Sequence, residues 1–381
     1  MGKGGVYMIM QQILTPMSVF ARVDKFLHKE NQDPWYFEMP DSKKVLLRPP
    51  MEYIGMLYNV AVVGGTRLIF DEKQYLYHDD LAATYKIPGF RPRLIEHVQM
   101  FDTNKVALRY NKDEKHKKIK QGILISSEYD FSYGHWMLEC LPKILFVKEK
   151  VGLDKMPLLV GSDVKPYFLQ LINEICEDTG YSIVKLEKGY SYEVETLIYP
   201  SDPSFIPEID DHKLIADGEF VVSAKWLKNL QEKLVGECES NDITRHKKIY
   251  LSRRNFFDRR LLNELEIETE LKKHGFEIID LTPYSHEERK KILGQAKLVV
   301  GPLGSADFNM LYCKPETKYI SLASDAFFEI DKGNGLTYQL FNIYKLSYRT
   351  IYGPRAYRRN DHHDDFTIPV EEIVKCIYKM E

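Results

Sequence analysis

The chain has 381 residues, enough for two domains of ordinary size that each bury a core. Its composition is that of a soluble globular protein rich in tyrosine and phenylalanine, and a formal charge of -3 gives no basic field that would favour nucleic acid. Cys140, Cys176, Cys238, Cys313 and Cys376 are scattered, odd in number and lack a C-x-x-C pair, which argues against a disulfide scaffold or zinc site and for a reducing compartment.

Met1 to Phe20 is mildly apolar but interrupted by Gln11, Gln12 and Pro16, with Lys3 as its only early base. It makes a poor signal peptide and is too short to span a bilayer. Val6 stands where a myristoylation signal requires Ser or Thr. Later apolar runs also fall short of the ~20 residues a spanning helix needs. A peripheral membrane contact stays open.

Residues 21 to about 120 read as a meandering β-rich lead-in. Val45-Leu46-Leu47, Val60 to Val63 and Arg67 to Phe70 look like strands, with Gly64-Gly65 as a hairpin turn and Pro88-Gly89 as another turn. Gly122 to Ser126 reads as a buried strand, followed by a helix over about His135 to Lys150 that Pro142 would kink. Next come a strand at Pro157 to Gly161, a helix over Tyr167 to Asp178, and strands near Tyr181 to Leu186 and Glu195 to Tyr199. Such alternation predicts a parallel sheet.

Pro200 to Asp217 reads as a loop near a domain boundary, followed by a helix over Ser223 to Val235 and a polar linker at Asn241 to Lys248. A second alternating series then follows: strand Lys248 to Leu251, helix Leu261 to His274, strand Phe276 to Leu281 and helix His286 to Gln295. Ser285 and Glu288 have capping-box spacing. Leu298 to Val300 reads as a strand ended by Gly301-Pro302, with Ser305 as N-cap of a helix to about Cys313. A strand at Thr317 to Leu322 and an amphipathic tail helix at Pro369 to Met380 complete the series. The resulting expectation is an α/β chain of two Rossmann-like domains facing a cleft, with bounds 1–240 and 241–365 and a tail helix at 366–381.

The Gly301 to Asn309 turn would present backbone N–H groups at a helix N-terminus, a place suited to phosphate. The plain alternative is one more strand-to-helix turn. Ser252-Arg253-Arg254 directly follows a strand, and two guanidinium forks there would grip a diphosphate. Otherwise it is a solvated basic turn that pairs with Asp258 or Glu264. His135 and Glu139, four apart on one helix face, suit a general base and its orienting carboxylate, or a capping histidine and a local network. Trp136 would line a sugar site or pack in the core. Asp361-His362-His363-Asp364-Asp365 has metal-ligand residue types but reads as a loop, and the chain has no D-x-D triplet.

In this order, these residues resemble the family 61 glycosyltransferases. Tyr133-Gly134-His135-Trp136-Met137-Leu138-Glu139-Cys140-Leu141-Pro142 is similar to the family's Y-x-H-W-x-x-(D/E)-x-L-P block. Ile249 to Arg254 is similar to its strand plus S-R-R, and Ser285 to Glu288 leading into Gly301 to Asn309 is similar to its S-x-x-E and G-P-H-G-A-G-L-T-N blocks. Asp365 to Pro369 is similar to the tail of bacterial members. Two departures stand out: Leu303 replaces the loop histidine, and Asp307 replaces an apolar residue.

The resemblance implies a GT-B fold and an inverting, metal-independent transfer from a nucleotide sugar, usually a UDP-sugar, to a capsule, lipopolysaccharide or related glycan. The first domain would be the acceptor side and the second would bind the nucleotide sugar. His135 and Glu139 would be catalytic. Ser252, Arg253, Arg254, Glu288, Gly301, Pro302, Gly304, Ser305 and Asn309 would bind the donor nucleotide, and Tyr133, Trp136 and Asp307 the acceptor. No metal or separate cofactor is implied, and the setting would be cytoplasmic. The rival readings are a catalytically silent sugar-nucleotide-binding subunit, motivated by Leu303 and Asp307, and a sugar-nucleotide epimerase.

Overall fold

The computed structural model describes residues 9–38, 44–77, 97–102, 105–111, 118–125, 127–154, 156–206, 220–236, 245–257, 259–328, 335–357 and 364–381. The chain forms two compact units. Met1–Asp33 and Arg48–Asp210 make the first, and Pro34–Leu47 with Asp211–Glu381 make the second. The expected turn at Pro88-Gly89 and the residues Ser126, Cys238, Asp258, Asp361, His362 and His363 lie outside the described residues.

One mixed sheet organises the first unit. Four neighbouring parallel strands of it, in chain order, are Ile119–Leu124, Pro157–Gly161, Ser182–Leu186 and Ser191–Pro200. In space they run 3-2-1-4, so the order reverses between Ile119–Leu124 and Ser191–Pro200. The β-rich lead-in is built onto this sheet. Glu52–Val63 pairs antiparallel with Ser191–Pro200 and carries the sheet outward. Ile9–Ser18, Val98–Asp102 and Lys105–Asn111 are further strands that the sequence pattern did not announce. Pro16 and the paired glutamines obscure the alternation in the first of these.

The helix after Ile119–Leu124 begins earlier than expected, at Tyr133–His135. Pro142 has no N–H to give the carbonyl four residues back. The chain absorbs the defect as a π-helical turn, Trp136–Cys140, in which the Leu141 N–H donates to the Trp136 carbonyl. This turn is the form taken by the disturbance expected at Pro142. An α-helix, Leu141–Lys150, then continues and buries Leu141, Ile144, Phe146 and Val147.

The second unit contains a five-stranded, fully parallel sheet. Lys247–Leu251, Phe276–Ile279, Ala296–Pro302, Lys318–Ser324 and Ser347–Gly353 run 2-1-3-4-5 in space. This order reverses between Lys247–Leu251 and Ala296–Pro302. Leu298, Val300, Ile320 and Leu322 form its core with Ile267 and Leu271 of the helix Glu264–Lys273. The tail helix Val370–Met380 adds Ile373, Cys376 and Ile377 to the same core. The helix Leu336–Ile343 and strand Ser347–Gly353 were not expected, because aromatic residues mixed with polar ones give no clean period there. Ser305 is not an N-cap. Gly304 holds that position, and Ser305–Tyr312 is a 3-10 helix. Asp365–Phe366 is a short strand beside Arg355–Tyr357 where a loop was expected.

A hairpin of Trp35–Glu38 and Lys44–Leu47 groups with this second unit. Its Trp35 indole N–H donates to the Val222 carbonyl, and Leu47 packs with Val221 and Tyr338. Among the described residues, no helix is long and apolar enough to cross a membrane.

Leu298 is 1% exposed within the second sheet. Leu298→Ala should cost about 2–5 kcal/mol of stability, read as a lower urea midpoint at unchanged slope. An unshifted midpoint would mean that this core tolerates the void.

Candidate active site

Ligands of open α/β sheets sit beyond the carboxyl ends of the strands, where the strand order reverses. In the first unit, that edge carries a buried cluster of charges. Arg67 is 5% exposed and donates from Nε to Glu128 Oε2 at 2.9 Å and from Nη1 to Asp202 Oδ2 at 2.7 Å. Its Nη1 also lies 3.9 Å from Glu139 Oε1. Lys143 Nζ pairs with Asp202 Oδ1 at 2.5 Å. Burial alone would lower the Lys143 pKa, but Asp202 outweighs it, and the ammonium stands above its usual value.

His135 lies beside this cluster. Its Nδ1 meets Glu139 Oε2 at 2.5 Å. Its ring stacks on Tyr129, with centroids 3.8 Å apart and planes inclined by 9°. A carboxylate accepting from Nδ1–H leaves the Nε2 lone pair as the basic site. The imidazole is therefore oriented twice, by a hydrogen bond at one edge and by a ring on its face. Asp130 fixes the loop beneath by accepting from Ser127 N at 3.0 Å and Gly161 N at 2.9 Å. A Cβ on Gly161 would collide with that carboxylate. Cys140 is buried in the same cluster. Burial, and then the charge of Asp130, pushes its thiol well above the usual range, so it is no nucleophile.

Tyr133 is half-buried against Tyr167 and Phe168. Trp136 offers no face to a sugar. It is 0% exposed, stacks on Phe168, and donates from its indole to the Asp130 carbonyl at 2.8 Å. The acceptor-binding expectation for Trp136 is corrected to a role in packing the loop that carries Asp130.

The reversal point of the second unit brings together the Ser252-Arg253-Arg254 and Gly301-Pro302-Leu303-Gly304 segments. Two buried carboxylates one helical turn apart hold the arginine loop from below. Glu264 Oε1 accepts from Arg253 N at 2.8 Å and Tyr250 Oη at 3.0 Å. Glu268 Oε1 accepts from Ser252 Oγ at 2.9 Å and pairs with Arg254 Nε at 3.1 Å. Burial raises the Glu264 pKa, against the pull of those donors. Arg253 Nη1 donates to the Leu303 carbonyl at 2.8 Å, joining the two segments. Gly304 has φ +155, and a Cβ there would strike the Arg253 guanidinium. The Arg254 side chain is half-exposed despite its ion pair.

Two expected ligand residues, Asp307 and Asn309, are buried and bonded internally. Asp307 is 3% exposed and accepts from Tyr319 Oη at 2.6 Å, Ser321 Oγ at 3.3 Å and Gly304 N at 3.2 Å. It fastens the glycine turn and meets no acceptor. Asn309 is buried, accepting from Arg289 and donating to the Ala306 carbonyl. The Glu288 carboxylate accepts from Ser285 N and Oγ, completing the helix cap. Arg67, Glu128, Asp202 and Glu268 were not anticipated. The available signals were an arginine in an otherwise apolar hairpin and two glutamates at i, i+4.

A histidine held by a carboxylate, and separately an arginine-and-glycine edge, are groups of the kind that group-transfer enzymes use. Residues 133–320 match the family model of Glycosyltransferase 61. The histidine, arginine and glycine blocks all fall inside the match, while Arg67 lies outside it. No curated protein matches the chain.

Burial raises the Asp307 pKa to about 6, against the Tyr319 and Gly304 hydrogen bonds and the charge of Arg253. An unfolded aspartate titrates near 4. As pH falls from 6 to 4, the native chain therefore takes up a proton that the unfolded chain does not. Over that window, wild type should gain on the order of 2 kcal/mol relative to Asp307→Asn. Urea unfolding of both at pH 4, 5, 6 and 7 reads this, and a flat difference would mean ordinary titration.

Proposed function

We propose that the protein is an inverting, metal-independent glycosyltransferase that moves a sugar from a nucleotide donor, a UDP-sugar in the leading case, to a hydroxyl of a cell-surface glycan or glycolipid. The observation that carries this reading is the His135–Glu139 pair at the reversal point of the first sheet. His135 Nε2 takes the acceptor proton as the oxygen attacks C1 from the face opposite the leaving group. Glu139 holds the tautomer and stabilises the imidazolium that forms.

Ser252, Arg253, Arg254 and the Gly301 to Ser305 turn receive the donor diphosphate. Arginine forks and backbone N–H groups offset the charge released on the leaving nucleotide, the task a divalent ion performs elsewhere. Tyr133 remains the acceptor-side aromatic. On this reading the fold is of the GT-B type, the first unit serves the acceptor and the second the donor, and the protein works in the cytoplasm, with peripheral membrane contact, on a capsule or lipopolysaccharide glycan. Phe257, 85% exposed beside the arginine segment, suits such a contact.

One observation favours a catalytically silent nucleotide-binding subunit instead. Arg253 and Arg254 are both engaged internally, with Leu303 and Glu268. Thermal unfolding with UDP, GDP, CMP and TDP, with and without EDTA, separates the readings. One nucleotide should stabilise the wild type, by about 2.7 kcal/mol at 100 Kd. EDTA should change nothing, and Arg254→Ala should lose the shift. His135→Ala should keep the shift but lose ~100-fold or more in turnover. Wild-type turnover in His135→Ala would remove the histidine from the mechanism. Binding without transfer in the wild type would favour the silent subunit.

A further inference from the structure

We propose that Asp280 accepts the hydrogen bonds of the donor's ribose hydroxyls. This deepens the donor reading above and rests on it.

In a doubly wound sheet, a nucleotide lays its diphosphate on the turn after the first strand. A carboxylate at the end of the adjacent second strand then meets the ribose hydroxyls. Lys247–Leu251 is the first strand here, and it is followed by Ser252-Arg253-Arg254. Phe276–Ile279 lies beside it in parallel register, with Leu251 opposite Ile279. Asp280 is the next residue, so it emerges at the same edge as the two arginines.

Hydrogen bonds join the two turns directly. Asn255 follows Arg254 and donates from Nδ2 to Asp280 Oδ2 at 3.0 Å. The Ser252 N–H donates to the Ile279 carbonyl at 2.9 Å. Thr282 N donates to Asp280 Oδ1 at 2.9 Å. Asp280 is half-buried. Burial alone would raise its pKa, but Thr282 and Asn255, with the charge of Arg289, hold it below the usual value. The group is an ionised acceptor at neutral pH, and a carboxylate offers about four lone-pair directions. A sugar diol needs such an acceptor. Glu288, the residue expected to serve the ribose, holds the Ser285 cap with one carboxylate oxygen.

Isothermal titration of the full chain with UDP, 2′-deoxy-UDP and inorganic pyrophosphate tests this. Wild type should bind UDP more tightly than the deoxy compound. Asp280→Asn should weaken UDP by roughly tenfold or more, shrink the UDP-to-deoxy preference towards one, and leave pyrophosphate within about twofold. Asp280→Ala, with thermal unfolding as the folding control, should repeat the pattern. Wild-type UDP affinity in both variants would overturn the proposal. So would an equal loss for UDP and pyrophosphate, which would make Asp280 a structural support of the arginine turn. A wild type that binds none of the three would overturn the donor reading itself, which a loss confined to the variants would not.

Discussion

A charge taken out of water must be paired, or it destabilises the fold by several kcal/mol. Both candidate edges of this protein are organised by that constraint. In the first unit, Arg67 and Lys143 are buried and gather Glu128, Glu139 and Asp202 around them. In the second, Glu264 and Glu268 are buried and pin Arg253 and Arg254 above them. The signs are reversed, but the logic is the same. Buried ions define where His135, Arg253 and Arg254 stand, so these side chains inherit their geometry from a layer beneath them.

Sheet order gives these layers their place. Each parallel sheet has one reversal of strand order, and at that point the loops on either side diverge to leave a crevice. The histidine block follows the strand on one side of the first reversal, and Asp202 follows the strand on the other. In the second unit, the arginine block and the glycine block flank the reversal in the same manner. Motifs far apart along the chain meet because topology brings their strands side by side. Short apolar strands ending in polar or glycine-rich turns are enough to build that arrangement.

Much of this was legible in the sequence. The strands and helices from Ile119 to Ser324 largely follow from apolar runs interrupted by glycine and proline, and the i, i+4 spacing of His135 and Glu139 already placed them on one face. What stayed hidden depends on environment rather than residue type. Glu264 and Glu268 sit in an acidic helix that reads as a solvated surface, yet they are 4% and 1% exposed. Trp136 and Asp307 have side chains suited to ligands, but packing directs them inward. Arg67 belongs to a hairpin remote from every recognisable block, and only its ion pairs with Glu128 and Asp202 reveal its place in the cluster. The π-helical turn at Trp136–Cys140 could be foreseen as a disturbance at Pro142, but not in its form.

The early hairpin Trp35–Glu38 with Lys44–Leu47 has a consequence for how the molecule is made. It belongs to the second unit, while the chain before and after it belongs to the first. Glu38 and Asn342 exchange hydrogen bonds across 304 positions of sequence. During synthesis, the hairpin leaves the ribosome long before the helix Leu336–Ile343 that receives it exists. Contacts of such long range must await loop closure and slow folding. The second unit therefore cannot mature from its own contiguous segment, and a fragment cut to hold only the later half of the chain would lack two of its strands.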